Sequence, residues 1–203
     1  MRISLLGPPG AGKGTQAARA AARFGLAHLS TGAIFREEIA KGTALGREIE
    51  ETVKAGLLVA DGTVDRVVFS RIGGEGGFIL DGYPRTLTQA RSLDSFLDRS
   101  LPLDGAVFLD VSEEEVLKRL CGRYDCPSCG PVRAPGGACP ACGNALDRRP
   151  DDEPTVIRRR FQEYHRATGP LLSYFGDRLC TVDGNMGVEE VWSKLEEALK
   201  TWA

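Results

Sequence analysis

Short apolar stretches bounded by Gly, Pro or Asp recur along the chain, at residues 2–7, 27–31, 77–80, 105–111 and 179–182. Each has the length of a strand. Between them the apolar positions fall at helical spacing. An Ala-rich helix is predicted over Lys13–Phe24, and another over 86–97 with Leu87, Ala90, Leu93 and Leu97 on one face. A third follows a Ser112 cap and carries Val116, Leu117 and Leu120. A long one places Ile157, Phe161, Tyr164 and Thr168 on one side, with a bend expected at Gly169-Pro170. The last repeats Val188, Val191, Trp192, Leu195 and Leu199. Strands alternating with helices predict an α/β fold: a parallel sheet covered on both faces, with ligands at the carboxyl ends of the strands.

Two stretches break that rhythm. Residues 30–60 are helical in composition with Gly32, Gly42, Gly46 and Gly56 as punctuation, and residues 122–152 are rich in Pro, Gly and Cys and poor in apolar side chains. Both read as insertions projecting from the strand ends. Some thirty residues without structure do not belong in a compact domain unless they are functional or stapled.

Composition sets limits on this picture. A chain of 203 residues, 42% hydrophobic and 27% charged, is a single ordinary globular domain. No apolar run approaches the ~20 residues of a membrane span, and the first apolar stretch is too short for a signal-peptide core. The expected location is therefore the cytoplasm. A net charge of −2 argues against general nucleic-acid binding. Two features are uneven: Arg makes up 20 of the 26 basic residues, and four of the six Cys lie within 17 positions.

The segment Gly7-Pro8-Pro9-Gly10-Ala11-Gly12-Lys13-Gly14-Thr15 follows the first strand and opens the first helix. Glycines let backbone N–H groups turn inward around a phosphate, and the helix N-terminus adds partial positive charge. Gly10, Ala11, Gly12 and Gly14 would cradle a nucleotide's phosphates, Lys13 would reach the β- and γ-phosphates, and the Thr15 hydroxyl is placed for Mg²⁺. Gly14 intervenes between the Lys and the Thr, where the general motif has Ser or Thr directly after Lys.

With Ser30-Thr31-Gly32 and Asp81-Gly82-Tyr83-Pro84-Arg85 added, the chain closely resembles the adenylate kinases among nucleoside monophosphate kinases, from Met1 to Val188 or beyond. The resemblance implies a P-loop core of three layers with a five-stranded parallel sheet, an NMP-binding insert at 30–59 and a lid insert at 122–152. It implies the reaction ATP + AMP ⇌ 2 ADP with Mg²⁺, and a monomer. It also implies site residues. Arg36 and Arg85 would hold the AMP phosphate. Arg123, Arg149 and Arg160 would close on the transferring phosphate, with Arg149 and Arg160 also toward AMP, and Arg119 would lie across the ATP adenine. Thr31 and Gln89 would read the AMP base, with Gly56, Leu57, Leu58, Val59 and Gly82 lining its pocket. Met186, within 185–188, would meet the ATP adenine. The family commonly has Asp where this chain has Ala33.

The residues suit that chemistry on their own terms. Phosphoryl transfer needs positioning, cations and exclusion of water. Asp81 ends an apolar strand beside the glycine loop, as an outer partner for Mg²⁺ through water, with a strand-end cap as the less favoured alternative. Arg grips phosphate oxygens bidentately. For Arg148, Arg158, Arg159 and Arg166 a solvated surface role is the simpler expectation. Asp151 and Asp152 are expected to hinge or hold the lid.

Cys126-Pro127-Ser128-Cys129-Gly130 and Cys139-Pro140-Ala141-Cys142-Gly143 are matching knuckles. Two thiolates from each, with no open position, predict a structural Zn²⁺; an all-thiolate site also accepts iron, and disulfides are the less favoured alternative. Cys121 and Cys180 are expected to be small buried residues, His28 and His165 structural, and Trp192 and Trp202 packing groups. The competing functions are a UMP, CMP or GMP kinase, a zinc-ribbon ATPase on nucleic acid, and a nucleotide-binding regulator without turnover. Segment 121–150 has Tyr124 as its one aromatic, which disfavours the nucleic-acid reading.

Overall fold

The computed structural model describes residues 1–73, 76–97, 102–133 and 136–202. Strands β1 (Arg2–Leu6), β2 (Ala27–Ser30), β3 (Phe78–Asp81) and β4 (Gly105–Asp110) form a sheet with a later strand, β7 (Leu179–Asp183). Its order is β2-β3-β1-β4-β7 and every pairing is parallel. All five are the stretches expected from the apolar pattern. Strands β5 (Arg123–Cys126) and β6 (Gly130–Arg133) make a separate antiparallel hairpin.

Helices α1 (Lys13–Phe24), α6 (Glu113–Cys121) and α8 (Val188–Lys200) contribute to one face of the sheet, and α4 (Asp61–Arg71), α5 (Leu87–Phe96) and α7 (Pro154–Phe175) to the other. Alternation along each strand produces this. Ile3, Leu5, Ile79, Val107 and Leu109 pack with Ala17, Ala20, Leu120, Val191 and Leu195. The opposite set, Leu6, Phe78, Leu80, Ala106 and Phe108, packs with Val68, Leu93, Leu171 and Phe175. A two-sided core of this kind makes the strands continuously apolar.

The structure departs from the sequence pattern in several places. Helix α4 was not legible: its Gly62, Thr63, Val64, Val67 and Val68 are poor or β-branched helix formers, and burial of Val64 and Val68 holds it instead. Helix α7 runs unbroken through Pro170, with Thr168, Leu171 and Phe175 buried around it. Cys121 is exposed, not buried, because the inward positions of α6 are Val116 and Leu120 and Cys121 is one helical step beyond. Cys180 is half-buried. Trp202 does pack, lying over Gly105 so closely that a Cβ there would sit 2.4 Å from its ring.

Between β2 and β3, α2 (Thr31–Ala40) and α3 (Ala44–Lys54) form a helical pair. A Cβ on Gly46 of α3 would lie 2.1 Å from the Glu38 carbonyl oxygen, so glycine is what lets these helices touch. No helix of the described residues is long and apolar enough to cross a membrane.

Candidate active site

Parallel register brings distant sequence positions to one edge of the sheet. Leu5 pairs with Asp81 and Ser30 pairs with Asp81 on its other side, so the glycine loop, Thr31 and Gly82 emerge side by side. Gly12 caps α1 in the left-handed conformation (φ 87°) without a side-chain hydrogen bond. The Gln16 N–H is bonded to the Gly12 carbonyl, so the amides of Lys13, Gly14 and Thr15 precede the first intrahelical bond, the arrangement that suits an anion.

Two cavities open at this edge. The larger is lined by the glycine loop from Pro9 to Gln16, including Gly10, Ala11, Gly12, Gly14 and Thr15, and by Arg119, Arg123, Arg149 and Met186. The smaller is lined by Thr31, Gly56, Leu57, Leu58, Val59, Gly82 and Gln89. Lys13, Arg36, Arg85 and Arg160 line both, so the wall between the cavities is cationic. Arg149, expected on the monophosphate side, lines only the larger cavity.

These cations lack a full set of anionic partners. Lys13 Nζ donates to the Gly7 and Pro8 carbonyls at 2.7 and 2.9 Å. Burial pushes its ammonium down to about 7; Asp81 opposes this, while Arg85, Arg160 and Arg123 add to it. Burial likewise lowers Arg36 to about 10 and lowers Arg85 and Arg160, and in each case a neighbouring guanidinium adds to the effect. An anion placed in the shared wall relieves all four.

A consequence is measurable. Lys13 is largely neutral above pH 7 in the empty protein and must be protonated opposite a polyphosphate. Binding ATP at pH 8.2 is therefore expected to take up close to one proton, with affinity falling as pH rises past 7. Calorimetry in two buffers of different ionisation enthalpy measures the uptake; equal heats in both would show Lys13 charged throughout. The empty protein should gain stability from this group as pH rises from 7 toward the ordinary lysine value, because the unfolded chain binds the proton more tightly.

Asp81 is nearly buried, and a Cβ on Gly14 would lie 3.3 Å from its Oδ2, so the carboxylate rests against the start of α1. Burial would raise its pKa, but the neighbouring His28 and Ser30 side chains and the charge of Lys13 lower it. His28 Nε2 lies 3.6 Å from Asp81 Oδ2. The sequence suggested no carboxylate partner for this histidine, since 53 residues separate the pair and the β2–β3 register alone joins them. Ser30 holds the N-cap position of α2, and the Thr31 hydroxyl donates to the Gly82 carbonyl at 3.2 Å. Its lone pairs remain for a ligand's donor. Gln89 is buried, with Oε1 accepting from the Arg85 N–H at 2.7 Å.

Carboxylates hold Arg119, Arg123, Arg149 and Arg160. Arg123 makes two hydrogen bonds to Asp152, at 2.7 and 2.6 Å, and Arg160 reaches Asp151 at 2.8 Å. Asp152 is fully buried. Arg149 forks onto Asp125, with Nη2 to Oδ1 at 2.6 Å. Asp125 carried no sequence signal; it faces Arg149 because an isolated antiparallel bridge pairs Asp125 with Asp147, two residues before Arg149. Arg119 spans Glu115 (2.8 Å) and the Gly184 carbonyl (2.7 Å) at the rim of the larger cavity.

The comparisons decide the family. A family model described as Adenylate kinase matches residues 5–179. Curated relatives agree over nearly the whole chain. An adenylate kinase of Fervidobacterium nodosum is 44% identical over 204 residues, covering 94% of each chain. One of Petrotoga mobilis is 40% identical over 212 residues, covering 100% of this chain and 99% of the relative. One of Archaeoglobus fulgidus is 41% identical over 213 residues, covering 98% of each. This chain belongs to the adenylate kinase family. It is a nucleoside monophosphate kinase, a phosphotransferase, and the pair of cavities with a common cationic wall suits a member of that family.

The adenylate kinase fold here also carries the cysteine tetrad. The Sγ atoms of Cys126, Cys129, Cys139 and Cys142 all lie within 4.8 Å of one another, and Cys126 and Cys142 are 3.4 Å apart. A tetrahedral zinc with bonds of about 2.3 Å has sulfur–sulfur edges of roughly 3.8 Å, so the cage has the right size. All six cysteines are free thiols. Burial opposes ionisation of Cys126, yet the backbone N–H groups of Cys129 and Ser128 bring it down to about 7. Cys129 is pushed up to about 12 by the neighbouring thiols. Four thiols so crowded become thiolates together only around a cation.

Proposed function

We propose that this chain catalyses reversible, Mg²⁺-dependent transfer of a phosphoryl group from ATP to AMP, giving two ADP and balancing the adenine nucleotides. The observation that carries this reading is the shared wall of Lys13, Arg36, Arg85 and Arg160, which would face both phosphate chains at once. ATP would occupy the larger cavity, with its phosphates on the amides of residues 10–15 and its base between Arg119 and Met186. AMP would occupy the smaller, with its phosphate on Arg36 and Arg85 and its base against Thr31 and Gln89.

In this arrangement the protein contributes position and charge. Arg85 and Lys13 would hold donor and acceptor phosphates in line, while Arg123, Arg149 and Arg160 would neutralise charge spreading over the transferred group. Their present carboxylate partners, Asp152, Asp125 and Asp151, keep the guanidinium planes fixed when no phosphate is there. Thr15 and Asp81 offer the oxygen pair that suits a Mg²⁺ retaining most of its waters, which would neutralise charge on the donor phosphates. Ala33 at the same rim provides no carboxylate, and the acidic residues lining that cavity among the described residues are Asp81 and Glu115. Segment 30–59 would act as the NMP-binding insert and 122–152 as the lid, stapled by Zn²⁺ on the four cysteines. We place the protein in the cytoplasm as a monomer, without nucleic-acid or membrane partners.

The test is ADP formation from ATP with AMP, GMP, CMP or UMP, each with and without Mg²⁺. Turnover with AMP alone, and only with Mg²⁺, is expected. Preference for another base would make this a different monophosphate kinase, and binding without turnover would make it a regulator.

A further inference from the structure

Gln89 is positioned by a residue with no sequence motif to announce it. Asp61, the first residue of α4, accepts from Gln89 Nε2 on its Oδ1 at 2.7 Å. Its Oδ2 accepts from the Thr86 hydroxyl at 2.9 Å, and that same hydroxyl accepts from the Gln89 backbone N–H at 3.1 Å. On the other side of the amide, Gln89 Oε1 accepts from the Arg85 backbone N–H at 2.7 Å. A carboxylate only accepts and a backbone N–H only donates. The amide of Gln89 therefore has one orientation that satisfies both neighbours, and a flip would set carbonyl against carboxylate and N–H against N–H.

What the amide shows to the cavity follows from this. One hydrogen on Nε2 and one lone pair on Oε1 remain, in a fixed order. Adenine presents an amine donor at C6 beside a ring-nitrogen acceptor, whereas a 6-oxo purine presents an acceptor oxygen beside an N–H. The two edges are opposite, and only an amide free to flip could serve both. We propose that Asp61 is a specificity-determining positioning residue: by holding the Gln89 amide in one orientation, it makes the smaller cavity favour a 6-amino over a 6-oxo purine monophosphate. This rests on the reading that the monophosphate base sits against Gln89.

The experiment compares kcat/KM for AMP and for IMP, at saturating ATP, in the unaltered protein, Asp61→Asn and Gln89→Met. An asparagine can donate or accept toward Gln89, which removes one of the two constraints while keeping size. Asp61→Asn is expected to lower the AMP-to-IMP ratio about tenfold, mainly through KM for AMP, with kcat and KM for ATP little changed. Gln89→Met should lower the ratio at least as far. Because each ratio is taken within one preparation, it does not depend on the folded fraction. If Gln89→Met collapses the ratio and Asp61→Asn leaves it unchanged, the role of Asp61 is wrong and the base site stands. The same holds if Asp61→Asn moves kcat and both KM values together with the ratio intact. If Gln89→Met leaves the ratio unchanged, the base does not lie against Gln89 and the inference falls with that reading.

Discussion

Arg85→Ala is expected to lower turnover about a thousandfold or more while leaving the melting temperature nearly unchanged, a magnitude typical of removing a cation that stabilises phosphoryl transfer. The combination follows from the electrostatics. Arg85 is half-buried, and both desolvation and the charge of Arg160 lower its pKa. Within the protein its side chain has a hydrogen bond from Nε to the Gly82 carbonyl at 2.8 Å. A guanidinium in that position is poorly compensated in the empty protein, so truncating it costs the fold little. It lines both cavities, so its loss removes a charge from donor and acceptor phosphates together. Turnover by a coupled ADP assay and a thermal melt on the same sample measure both halves. Turnover within tenfold of the unaltered protein would sink the assignment of Arg85 as a catalytic residue.

Removing the lid metal should have the second largest effect. Purified protein is expected to contain one metal ion per chain, zinc or iron, by elemental analysis. Its extraction, or Cys129→Ser, should reduce turnover at least about a hundredfold and lower the first thermal transition. The reason is that segment 123–152 has almost no apolar core. Its buried side chains among the described residues are Cys126, Cys139, Arg149 and Asp152. Two of the four are cysteines and two are charged, so the hairpin β5–β6 and the knuckle beyond it have little but the ion to fold around. Without it the Asp125–Arg149 pair loses its support, and Arg123 loses its fixed approach. The P-loop core has its own two-sided packing and should survive. A metal-free protein with full activity would show that the tetrad is not a structural site.

The residues with chemistry written into their own spacing were the most legible ones. A glycine loop between strand and helix, paired Cys-x-x-Cys knuckles and the Asp81–Arg85 segment each work through local geometry, and the structure places them as that geometry suggests. The strands were equally plain, because a sheet buried on both faces makes them continuous apolar runs. Helix α4 was not, since its valines and Gly62 disfavour helix and only packing against α5 and the sheet stabilises it.

The remaining features depend on contacts between residues far apart in the chain. His28 meets Asp81 across a parallel strand pair. Asp125 meets Arg149, and Asp61 meets Gln89, at separations of 24 and 28 residues. No periodicity or motif encodes such pairs, because a carboxylate in sequence is the same symbol whether it faces water or a buried guanidinium. Local spacing was enough to establish an α/β fold, a glycine loop between strand and helix, and an insert carrying a cysteine tetrad. Which carboxylate restrains which arginine, which carboxylate holds the Gln89 amide in one orientation, and which four cations share a wall were decided by the packing of strands, helices and hairpin, which brings those groups together.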